Sequence, residues 1–212
     1  MRTEELIRAL ATDGTRRPMS LGKSVALALA AGVPVSVATL LIGIGFRPDI
    51  MDVIETWRFD FKFVVTLALA MTAAVLALRL SRPGAATRAA KAATLIAPAL
   101  LATAVVYELA VIPRQARMDL AIGTNAVHCL LLIPLFSAPI LAALLYALKR
   151  GAPGDPGMAG MAAGLFASGI GAAIYALQCT DDSPLFLAVW YTIAIALVAL
   201  TGVLAGRRVL RW

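Results

Sequence analysis

Six stretches of about 20 apolar residues follow one another along this chain of 212 residues, and they leave it few folds to choose from. They run over Ser24–Phe46, Lys62–Leu80, Ala92–Ile112, Ala126–Leu148, Met158–Leu177 and Leu185–Ala205. Each is long enough to cross a hydrocarbon core of ~30 Å as a helix. None shows the strict alternation of a barrel strand. Lipid offers the backbone no hydrogen-bond partners, so helices, which satisfy their own, are the expected element. The fold expected is all-α: a polytopic membrane protein of six transmembrane helices. Composition agrees, since 61% of residues are hydrophobic where soluble domains hold about 45–50%. The first stretch starts too late, and is too long, for a cleaved signal peptide.

The net charge of +7 would suggest nucleic acid in a soluble protein. Here its distribution reads as topology instead. The N-terminal tail, the second and fourth loops and the C-terminal tail carry 14 of the 19 basic residues. The positive-inside rule then places both termini in the cytoplasm, and no direct nucleic-acid binding is expected. Three regions follow: a tail over residues 1–23, a six-helix membrane domain over 24–206, and a basic tail over 207–212.

Within the first tail, Thr3 can cap a short helix with Glu4 and Glu5 in its first turn. Leu6, Ile7 and Leu10 share one face of it. A ten-residue helix is marginal alone and needs a partner. It is either a lead-in lying on the membrane or a docking helix for a cytoplasmic protein. After the first span, Ile50, Val53, Ile54 and Trp57 fall at helical spacing and predict an interfacial helix. Glu108 ends the third span, where a carboxylate marks either a site or the membrane interface. Pro134 and Pro139 should bend the fourth span, with Ser137 serving a nearby carbonyl. In the fifth, Gly160, Gly164, Ser168 and Ala172 recur every four residues. Such a stripe lets two helices approach closely, and it predicts a central fifth span gripped by the fourth.

The inventory of reactive groups is small: one histidine, His128, and two cysteines, Cys129 and Cys179. No nucleophile–base–carboxylate set can be assembled, so the chain reads as a non-enzyme. The cysteines sit at the same end of a predicted helical hairpin, on the side away from the basic loops, where the medium is oxidising. A disulfide between them requires Cα atoms within about 7 Å. As thiolates they would be soft ligands for zinc, cadmium or copper(I), and His128, Asp181 and Asp182 could complete a shell. His128 and Cys129 point ~100° apart on a helix, so joint ligation needs local unwinding. The alternative is that each cysteine is a small buried apolar residue. No cofactor is required on either reading; a heavy-metal ion at Cys129 and Cys179 is the one candidate.

The run RGAPGDPGMAGMAAGLFASGIGAAIYALQCTDDSPLFLAVWY, the closing GRRVLRW, the early TEELIRALATD and the GFRPDI after the first span resemble the NrsF family of six-span membrane anti-sigma factors. The resemblance covers essentially the whole chain. It implies a protein that holds an extracytoplasmic-function sigma factor at the membrane and releases it on heavy-metal or oxidative stress. It further implies that Cys129 and Cys179 take part in that response, and that the cytoplasmic tail around Leu6, Ile7 and Leu10 contacts the sigma factor. The rival reading is a small metal-handling or transport membrane protein, which needs polar residues lining a path at mid-membrane. The spans offer Thr39, Thr66, Thr72, Thr103 and Ser168.

Overall fold

The computed structural model describes residues 3–5 and 19–211. The tail residues Leu6, Ile7 and Leu10, and Trp212, lie outside the described residues. Among the described residues the chain is all-helical, and six helices are long and apolar enough to cross a membrane. They span Leu21–Gly43, Trp57–Leu80, Arg88–Val111, Ala126–Leu148, Pro156–Ala176 and Pro184–Val209.

Local chemistry moves several boundaries from those the hydropathy predicts. The first span begins at Leu21 because Ser20 caps it, its hydroxyl accepting from the Lys23 amide at 3.4 Å. The interfacial helix shrinks to Ile50–Val53. Thr56 is extended, so Trp57 and Phe59 open the second span instead of sitting in a loop. The third span breaks at Thr94–Leu95, one turn before Pro98. That proline has no amide to donate to the Thr94 carbonyl.

The fourth span carries its two prolines as expected. Ser137 donates to the Ile133 carbonyl at 2.6 Å, and Ser36 of the first span donates to the Phe136 carbonyl at 2.6 Å. These hydroxyls serve carbonyls in the stretch that the prolines disturb. The first span meets the fourth closely, since a Cβ added at Gly32 would lie 2.9 Å from Ile140 Cα.

The fifth span is the centre of the bundle: 78% of its most apolar stretch is buried, against 17–44% for the other five. Large side chains such as Ile42, Met71, Val106 and Leu131 point outward from those others. Lipid is as apolar as they are, so they supply no net drive to associate; close backbone packing must do so. The stripe predicted to face the fourth span instead faces the sixth at its glycines. A methyl at Gly160 would run into the Gly202 carbonyl oxygen and lie 2.8 Å from Gly206 Cα. At Gly164 it would lie 2.8 Å from Ala199 Cα. The sixth span offers glycines of its own at matching spacing, Gly202 and Gly206, where the fourth has no glycine. The fourth is met by Gly171, whose added methyl would strike Ser137 Oγ. The second is met by Gly169, 2.7 Å short of the Thr66 carbonyl oxygen. Ser168 donates to its own helix at Leu165, and Ala172 is fully buried.

Gly160→Leu should therefore lower stability by about 3 kcal/mol, because the obstacle is backbone and not a movable side chain. Gly22→Ala, which meets nothing within 4 Å, is the control. Thermal unfolding of the two purified variants in detergent reads the difference.

Candidate functional site: the linker between the fifth and sixth spans

Residues 177–183 leave the fifth span as a short irregular linker, and the buried charges among the described residues, Arg47, Lys62 and Glu108, converge on it. Cys179 is the pivot. Its amide still bonds Tyr175 at 3.1 Å, and its thiol donates weakly to the Asp181 carbonyl at 3.7 Å. Its own carbonyl accepts from Arg47 Nη1 at 3.0 Å and from Lys62 Nζ at 2.9 Å. Both cations are buried, with side chains 2% and 0% exposed. A buried charge is tolerated only when paired. The pairing comes from Asp182, which accepts from Arg47 at 2.9 and 3.0 Å and forms an ion pair with Lys62. Arg47 further forks onto Asp49 at 2.7 and 2.8 Å, and its amide donates to the Leu177 carbonyl at 3.2 Å. The fork with Arg47 depresses the Asp49 carboxyl to a pKa of about 2, and the Arg47 guanidinium is raised by the same contacts, its bond to Asp49 first.

The rest of the linker is tied to other elements. Asp181 Oδ2 accepts from the amides of Thr124 and Asn125 at 3.0 and 2.8 Å, and from Asn125 Nδ2 at 2.9 Å. Ser183 caps the sixth span and donates to Glu108 Oε2 at 2.7 Å, an oxygen that also accepts from the Leu185 amide at 3.0 Å. Arg58 lies 3.0 Å from the other oxygen of Glu108, an ionic contact without hydrogen-bond alignment. Glu108 is 1% exposed, so it is enclosed by protein and not set out at the membrane interface, one of the two readings open for it.

Cys129 sits in the first turn of the fourth span, fully buried, in the same apolar cluster as Cys179. Burial pushes the Cys179 thiol above its ordinary pKa, and Lys62 is the strongest influence in the opposite direction. The ring of Tyr191 closes the cluster, 5.9 Å from Tyr175 and 6.3 Å from Phe186.

The proposed auxiliary ligands are not gathered with the thiols. His128 is exposed, while Asp181 and Asp182 are engaged as described. Among the described residues no three His, Cys, Asp or Glu side chains come together as metal ligands do.

An open cleft of about 630 Å³ lies over the linker, lined by Arg58, Asp119, Thr124, Thr180, Asp181 and Ser183 among others. One wall is an amphipathic helix over Arg114–Ile122, which the sequence reading missed for lack of a long enough period. Arg117 caps the third span by donating to Leu109 at 2.6 Å and Ile112 at 3.2 Å. Trp190 Nε1 pins the far end of this helix at the Ala121 carbonyl, 3.0 Å away. Gly123 turns the chain out of it at φ 60°.

The mid-span hydroxyls do not line a path. Thr39, Thr66, Thr72 and Thr103 each donate to a carbonyl three or four residues back in their own helix.

These features define a polytopic helical membrane protein whose buried charges, among the described residues, converge on one cysteine-bearing linker. The chain belongs to the NrsF family, described as negative regulator of sigma F, whose family model matches residues 10–212. That family is regulatory, not catalytic. The chain is 37% identical to the anti-sigma-F factor NrsF of Caulobacter vibrioides (strain NA1000 / CB15N), over the full length of both chains. It is 33% identical to the probable anti-sigma-F factor NrsF of Azospira oryzae, again over both full lengths. No solved structure matches the chain at a significant level.

Proposed function

We propose that this protein holds an extracytoplasmic-function sigma factor at the inner membrane and lets it go when a heavy metal or oxidant acts on Cys129 and Cys179. Both termini face the cytoplasm, and the cysteine end faces the periplasm. The reading rests on the match to NrsF over residues 10–212, and the shared burial of two thiols at one end of the bundle supports the sensing step. An oxidant would take two electrons while both thiols lose their protons and a sulfur–sulfur bond forms. A soft cation would displace the same two protons and bridge two thiolates. The positive charge on the loops at the opposite end supports the orientation. Leu6, Ile7 and Leu10 form the sigma-binding face of the tail. The transport reading is the weaker one, because the mid-span hydroxyls are turned onto their own helices.

The test is co-purification of the full-length protein from membranes with a sigma factor. Leu6→Asp combined with Leu10→Asp should reduce the retained sigma factor by at least ~30-fold, since two apolar anchors at ~1–2 kcal/mol each are lost. Retention unchanged in an inserted double variant would move the contact away from the tail.

A further inference from the structure

The first span packs on the fourth through Gly32 and Ser36, and its polar ties to the cysteine linker run through Arg47. The second span reaches the same linker through Lys62. Both cations end on one atom, the carbonyl oxygen of Cys179, and share one carboxylate, Asp182. A linker of seven residues does not need two buried cations to turn a corner; the neighbouring Asp181 secures its own stretch with backbone amides and an asparagine. The cations make sense where the position of the Cys179 backbone has to be held, and where releasing it has to be felt elsewhere.

We infer that Arg47, Lys62 and Asp182 form a latch that positions Cys179 and carries a change at its sulfur to the first and second spans. The inference rests on the sensing role proposed above for the cysteines. The thiol and the carbonyl of Cys179 belong to one residue, so drawing Sγ toward Cys129 or onto a metal rotates the carbonyl away from Nζ and Nη1. Lys62 is then left with only Asp182, which it shares with Arg47, while Arg47 keeps Asp49 as well. Breaking one partner out of a buried ionic set is costly, which gives the latch two distinct states and not a continuum. The Arg47 end of the latch is joined directly to the first span, and that span leads at its other end to the N-terminal tail.

The test uses full-length protein in cells, with sigma-dependent transcription read without stress and after cadmium. Each variant is made in the natural background and with both cysteines changed to serine. Asp182→Asn should raise unstressed transcription by about tenfold or more in both backgrounds, because the latch lies downstream of sulfur. Asp182→Glu should restore repression, which a merely space-filling role would not predict. Arg47→Gln, which leaves Lys62 and Asp182 paired, gives the milder form of the same change if Asp182→Asn fails to accumulate. Full repression with normal cadmium induction in Asp182→Asn or Arg47→Gln at normal membrane abundance overturns the latch. A cysteine-free protein that still responds to cadmium overturns the sensing role instead, and leaves the latch to be judged on the unstressed readings.

Discussion

With Cys129 and Cys179 both changed to serine, the protein is expected to insert, retain its sigma factor and lose its response to cadmium or a thiol oxidant. Induction should fall from an order of magnitude or more to about onefold. A change of about 100-fold in sigma affinity corresponds to ~2.7 kcal/mol of coupling, well within what one sulfur–sulfur or sulfur–metal linkage supplies. Both sites are fully buried, and serine adds a hydroxyl without filling new space, so insertion should survive. Promoter activity and membrane abundance, measured side by side across a cadmium series, check it. Persistent induction would remove sulfur from the mechanism altogether.

Glu108→Leu is expected to lower stability about as much as Gly160→Leu. One carboxylate oxygen serves both Ser183 and the Leu185 amide, and the other faces Arg58. Its loss leaves the buried Ser183 hydroxyl without its acceptor and the Leu185 amide with Ser183 Oγ alone, at 3.2 Å. Two charge-assisted bonds are removed from a buried site, so roughly 3 kcal/mol should go. Arg58 is 37% exposed and can turn to solvent, which keeps the figure below that for a fully enclosed pair. Thermal unfolding in detergent measures the loss, and Glu108→Gln should recover part of it by accepting from Ser183.

The spans were legible in the chain because hydrophobic length is a local property. The hydroxyl partner Ser137 and the placement of Cys129 and Cys179 at span ends were legible for the same reason. What the sequence concealed was pairing at a distance. Arg47 and Lys62 look like ordinary loop charges in a topology count, and only the fold brings them to Asp182, more than a hundred residues away. The small-residue stripe announced close packing but not its partner; that depended on Gly202 and Gly206 being presented by the sixth span. Asp181 and Asp182 look interchangeable beside Cys179, yet one binds amides and the other cations. The helix over Arg114–Ile122 is too short to reveal itself by period, and its role as a cap on the third span depends on Arg117 reaching back.

The wide turn over Leu187–Tyr191 bears on how the last helix is aimed. A turn of this kind holds one residue more than an α turn, and one residue is worth about 100° of rotation. Everything beyond Tyr191 is thereby dialled round by more than a quarter of a circle relative to Pro184. That phase is what brings the glycine edge of the sixth helix to bear on the fifth, so the mating of the two helices near the basic end is set by a backbone irregularity beside the thiols.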